Sequence, residues 1–284
     1  MTRTTLASLV LLTAHGLGAH ADDPEAARKA LAALRDADPV VKVDEAQPDK
    51  PVIAVHFRPN YGKVTDEELK HLRAFPHLRS LAVPNKAFVT DAGLAHLEGL
   101  VELEELTLNG TRATAEGVLR LLKGRTRLQV LHLMKVPLRD EDLAALKDLT
   151  ELRDLSLRGT RVSDQGVKHL KFFPKLRALN LDTQPGLITD AALPHLRHLS
   201  ELDDLDLDRT AITDAGLAHL KPLSKLRRLQ FAFTNVSDAG LAHLADLPNL
   251  KGINARGTKV TREGVEKLKQ RLPEVNVGYG PVVK

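Results

Sequence analysis

The sequence predicts an α/β solenoid, a coil of short strand-and-helix units repeated about every 24 residues. Two recurring phrases predict it. One is Ile212-Thr213-Asp214-Ala215-Gly216-Leu217-Ala218-His219-Leu220, repeated at Val89–Leu97, Val162–Leu170, Ile188–Leu196 and Val236–Leu244. The other is L-x-x-L-x-L, clear at Leu103, Leu106 and Leu108 and again at Leu202, Leu205 and Leu207. The Thr/Ser of the first phrase falls at residues 65, 90, 114, 163, 189, 213, 237 and 261, with Arg139 in the remaining register. Spacings of 24 to 26 residues over nine registers exclude chance.

Each phrase has its own physics. The last two leucines of L-x-x-L-x-L alternate with polar or small residues, the period of a strand with one buried face. Ten such segments occur, from Val52/Val55/Phe57 to Leu272/Val275/Val277. Between them, Thr213 reads as a helix N-cap accepting a bond from an unsatisfied backbone N–H. Asp214 suits the positive end of the helix dipole. Ile212 and Leu217 form a hydrophobic staple, and Thr65 with Glu68 forms a capping box. Leu217, Leu220 and Leu223 share one inward face. Gly216 lies beside that face, where a missing side chain would let the helix approach the strands.

Together the two phrases, with Thr111, Thr160, Thr210, Thr234 and Thr258 between them, resemble leucine-rich repeats. The nearest subtypes are the roughly 24-residue bacterial kind and the cysteine-containing kind seen in F-box substrate receptors. The resemblance spans about Pro51 to Tyr279. It implies a right-handed horseshoe, with about ten parallel strands on the concave face and short helices on the convex face. It also implies that each inward Thr, standing where the family has Asn or Cys, bonds the backbone of an adjoining coil. Asn60, Lys86, Val136 and Gln184 occupy that position elsewhere and predict less regular loops.

The ends read differently. Met1-Thr2-Arg3, an apolar run to Leu12 and the close Ala19-His20-Ala21 read as a secretory signal over 1–21, cleaved after Ala21. That predicts a secreted or periplasmic protein, peripheral to a membrane at most, because the run is too short for a normal span. Residues 22–50 are expected to form a helical cap and connector, with Asp23 as N-cap and Pro24 in the first turn. Residues 51–284 form the repeat domain with a terminal capping strand.

Composition narrows the function classes. The chain has 284 residues, no Cys and no Trp, with 3% aromatics and a formal charge of +4. No thiolate metal site or disulfide can exist. Lys/Arg and Asp/Glu alternate without a basic stripe, which argues against nucleic acid. No nucleotide-binding, zinc-protease or nucleophile-elbow phrase is present. No cofactor or enzymatic role is therefore expected.

The strand positions between leucines supply the candidate site. Asp154, Asp182, Asp204, Asp206 and Asp208 fall on neighbouring strands about 4.8 Å apart. Arg158 and Arg228 flank them and Phe233 adds an apolar contact. A protein or peptide of basic character would offset the mutual repulsion of these acids. A solvated face with partial Arg pairing is the alternative. Three functions stay open: an exported protein-binding scaffold or receptor, a structural envelope protein without a single ligand, and a metal-dependent hydrolase at the acids. Six histidines, His71, His96, His169, His195, His219 and His243, recur at one position and read as interhelix packing, with a pH- or metal-responsive ladder as the alternative.

Overall fold

The computed structural model describes residues 23–58, 64–183 and 186–281. The signal segment 1–21, Asn60 and Gln184 lie outside them. Eleven strands form one open sheet in sequence order. They are β1 (Pro39–Val43), β2 (Val52–Phe57), β3 (Ser80–Ala82), β4 (Glu105–Thr107), β5 (Val130–His132), β6 (Asp154–Ser156), β7 (Ala178–Asn180), β8 (Asp204–Asp206), β9 (Arg228–Gln230), β10 (Gly252–Arg256) and β11 (Asn276–Gly280). From β2 onward every pairing is parallel. β1 pairs antiparallel with β2, Val41 facing Val55.

A helical segment follows each strand from β2 to β10. These are α2 (Asp66–His71), α3 (Asp91–Ala95), α4 (Ala115–Leu122), α5 (Asp140–Ala145), α6 (Asp164–Val167), a 3-10 helix at Asp190–His198, α7 (Asp214–Leu217), α8 (Asp238–Leu244) and α9 (Arg262–Arg271). Before them, α1 (Pro24–Ala33) is capped by Asp23, whose carboxylate accepts from Glu25 and Ala26 at 3.0 Å. One continuous core joins sheet and helices, from Ala27 under α1 to Val277 in β11. Ile212, Leu217, Leu220 and Leu223 are all fully buried in it. No coil could bury that stripe without its neighbours.

The architecture is the leucine-rich-repeat solenoid that the sequence implies, with four differences in detail. Strand β1 is additional, since Pro39-Val40-Val41-Lys42-Val43 lies outside the repeat and carries no repeat signal. At the other end, Val277 pairs with Ile253 and Gly278 with Asn254. The last strand therefore keeps the 24-residue spacing from Ile253 to Val277 and is shifted two residues from the expected Leu272/Val275/Val277 frame, which places Val275 only 22 residues after Ile253. Thirdly, the inward threonines bond their own coil. The hydroxyls of Thr160, Thr210 and Thr234 donate to Leu157, Leu207 and Phe231 carbonyls three residues back at 2.6–2.7 Å.

The fourth difference explains the T-D-x-G phrase. The Asp does more than face a helix dipole. Its carboxylate reaches the next coil, taking the backbone N–H of the following Thr/Ser on Oδ1 and the hydroxyl on Oδ2. Asp190 does so with Thr213 at 2.7 and 2.6 Å. The same clasp joins Asp66 to Thr90, Asp91 to Thr114, Asp140 to Ser163, Asp164 to Thr189, Asp214 to Ser237 and Asp238 to Thr261. Thr213 itself makes no capping bond within its helix. The glycine also has a different purpose from the one expected. A Cβ on Gly216 would overlap Asp190 Oδ1, and Gly93, Gly117, Gly166, Gly240 and Gly264 stand in the same relation to their preceding Asp. Glycine makes room for the neighbouring carboxylate in six of the seven clasps, and Ala192 holds the position in the seventh, Asp164 to Thr189.

Candidate functional site

The strands bring the predicted acids onto one face, in register. Asp204 lies beside Ala178 and Arg228, and Asp206 beside Asn180 and Gln230. A depression of about 240 Å³ on this face is lined by His132, Asp154, Ser156, Asn180, Asp204, Asp206 and Gln230. Asp208, Arg158 and Phe233 follow the ends of their strands.

These acids fall into two electrostatic groups. Three have a partner within the chain. Asp154 lies 3.1 Å from His132 Nε2. Asp204 takes Arg228 at 2.7 and 2.8 Å. Asp182 is only 4% exposed, so it is not part of the accessible surface. Arg158 reaches it at 3.0 Å from one side, and Arg209 forks onto both its oxygens from the other. A buried carboxylate with two guanidiniums is a structural ion cluster.

Asp206 and Asp208 differ. Neither makes an ion pair among the described residues. Asp206 accepts the Asn180 side-chain amide at 2.7 Å and the Asp208 backbone N–H at 2.9 Å. Asp208 accepts the Ala232 N–H at 2.6 Å, tying one coil to the next. Burial pushes the Asp206 carboxyl up to about 6, aided by the negative charges of Asp208 and Asp182 and opposed by the bond from Asp208 N–H and by Arg158. Burial also raises Asp208, against the bond from Ala232 N–H.

The sign of the linkage follows. Folding raises the proton affinity of Asp206, so its charged form is carried at a cost above pH 6, and that cost vanishes as pH falls towards 4. The side chain is partly open to solvent, which reduces the effect to on the order of 1 kcal/mol. Wild type is expected to gain that much stability relative to Asp206→Asn between pH 7 and pH 4, measured by urea unfolding at both. A constant difference across that range would refute the assignment.

Sequence reasoning did not single out Arg209 or Asn180. Arg209 has a readable signal, because it occupies a repeat position held by Gly110, Gly159 and Gly257 elsewhere. All of these have positive φ, near 60–70°, as do Lys135, Arg209 and Phe233 at the same position. A non-glycine residue there costs roughly 1–2 kcal/mol. At Arg209 the side chain offsets that by clamping Asp182. Phe233 is 50% exposed, its ring lying against Gly257, where a Cβ would stand 2.8 Å from it.

The repeated histidines do not converge. His71, His96, His169 and His195 are half-buried between helices, while His219 and His243 are exposed. His169 stacks on Phe172 at 6.2 Å. Among the described residues no group of three His, Asp or Glu side chains is arranged to hold a metal ion, and no helix is long and apolar enough to cross a membrane.

Comparison with known proteins agrees with the architecture. No family model and no curated protein matches the chain. Among solved structures, it is similar to internalin C2 of Listeria monocytogenes, with 21% identity, a TM-score of 0.51, and 91% of this chain and 93% of that one covered. It is also similar to the leucine-rich-repeat protein LIC12759 of Leptospira interrogans, at 18% identity and a TM-score of 0.50, covering 73% of this chain and 56% of that one. The third is mouse RP105, solved in complex with MD-1, at 22% identity and a TM-score of 0.54, covering 72% of this chain and 35% of that one. At such identities the likeness is one of fold. The chain has the leucine-rich-repeat fold.

Proposed function

We propose that this chain is an exported binding scaffold that holds a basic segment of a protein or peptide on its strand-lined face, with Asp206 and Asp208 as anchors. The observation that carries the reading is the contrast within the acid group. Asp154, Asp182 and Asp204 each have a basic partner in the chain. Asp206 and Asp208 are half-buried, raised in pKa and outside any such pair. Acids carried at a cost in stability suit a site that a cation from outside completes. Arg228 on Asp204 and exposed Phe233 border the anchors, and an aromatic face beside a carboxylate favours Arg or Lys. Export rests on the 1–21 segment, and mass spectrometry of the protein from an exporting host tests it by a mature terminus at Asp22.

A labelled array of Lys- and Arg-rich peptides, with Glu-substituted controls, tests the binding. The best basic peptide should lose at least about tenfold in affinity on Asp206→Asn/Asp208→Asn, a loss expected when one charged hydrogen bond is removed. Binding should also weaken with salt. Equal binding of basic and acidic peptides, no saturable binder, or an unchanged affinity in the double variant would overturn the reading.

A further inference from the structure

The clasp between coils is absent at one junction, and every component is replaced there together. Ala115 stands where the Asp belongs, Arg139 where the Thr/Ser belongs, and Asp142 where the glycine belongs. Asp142 turns inward on its own helix instead, accepting the Arg139 N–H at 2.7 Å. No carboxylate then crosses from α4 to α5. Between them lies a groove of about 980 Å³, floored by Leu119 and Pro137.

The junction before it is the opposite case. α4 is held to α3 by the Asp91–Thr114 clasp. It is held again by Arg125, buried at 5% exposure, whose guanidinium donates to the carbonyls of Leu97, Glu98 and Leu100 in the turn that follows α3 and whose Nε donates to Leu121. After α5 the clasps resume without a gap. Two clasped stacks therefore meet at α4 and α5. On the other face the sheet continues across the boundary, with Leu108 N–H donating to His132 at 2.9 Å and Gly110 N–H to Met134 at 2.7 Å. A boundary bonded on its strand side and open on its helix side can bend about the strands.

We propose that the α4–α5 junction is a hinge, about which the coils up to α4 rotate as one body against those from α5 onward. Opening or closing the groove changes the curvature of the strand-lined face between β4 and β5. His132, which lines the depression with Asp154, sits at the edge of that bend. The hinge is independent of what binds there.

The chain has no cysteine, so introduced pairs label cleanly. Val101→Cys with Thr150→Cys spans two coils across the unclasped junction. Thr150→Cys with Ser200→Cys spans two coils with every junction clasped, from the equivalent exposed position. Electron–electron distance measurement should return a broader distribution for the first pair than for the second. Ala115→Asp, Arg139→Thr and Asp142→Gly together install the missing clasp, and should narrow the first pair and leave the second unchanged. Equal widths for the two pairs in the otherwise unchanged chain would overturn the hinge, even if the triple variant failed to fold.

Discussion

Arg125→Ala is expected to destabilise the chain by roughly 2–5 kcal/mol, the range for truncating a large buried side chain, with the carbonyls that lose its bonds adding to the cavity. The position lies three residues before the first strand leucine. Leu100, Leu149, Phe173, Leu199, Leu223 and Leu247 occupy it elsewhere, all buried. In this coil a guanidinium fills the same space and donates to carbonyls of Leu97, Glu98, Leu100 and Leu121. Alanine would leave both an empty volume and carbonyls without a donor. Arg125→Leu restores the apolar volume, and its cost should fall below about 1.5 kcal/mol. Urea unfolding of both variants checks this. Equal losses would mean that the hydrogen bonds dominate, and no loss in Arg125→Ala would mean that the site collapses freely.

The second large effect concerns the clasp. Gly216→Ala places a methyl on Asp190 Oδ1 and 2.9 Å from Leu193 Cδ1. The clasp accommodates an alanine, Ala192, where Asp164 and Thr189 stand 25 residues apart; at the 23-residue spacing of Asp190 and Thr213 the added methyl is expected to displace the carboxylate and both of its bonds. The expected loss is about 1–3 kcal/mol, after allowing for the better helix propensity of alanine. Asp190→Ala should cost a similar amount by the same loss. Because one interaction is removed either way, the double variant should be no worse than the poorer single one. Additive losses in a double-mutant cycle would show that Gly216 and Asp190 act separately. The equivalent change at Asp142, where the preceding coil has Ala115, meets no such carboxylate.

Much of this was legible before any coordinates. A period of 24 to 26 residues, the alternation in L-x-x-L-x-L and the hydrophobic staple are local patterns, and local patterns determine which side of each strand and helix faces the core. The frames set by L-x-x-L-x-L from β2 to β10 therefore coincide with the observed register, Asp204 beside Arg228 and Asp206 beside Gln230. Register failed at β11, where Glu274 and Tyr279 stand at the leucine positions of the 24-residue frame and Leu272, Val275 and Val277 offer a more apolar match two residues early. The T-D-x-G phrase was visible, but its purpose was not. Each residue of it was read within one helix, whereas the partner of each carboxylate lies some 24 residues on.

The acidic face shows the same division. Sequence alone determined that Asp154, Asp182, Asp204, Asp206 and Asp208 share one side of neighbouring strands, because strand spacing and period leave no other arrangement. Only the tertiary structure decided that Asp182 is buried between Arg158 and Arg209, and that Asp206 and Asp208 are the acids without a basic partner among the described residues. Burial and pairing depend on where long side chains from adjacent coils end. A guanidinium can reach either of several carboxylates, and the backbone turn at Arg209 selects one.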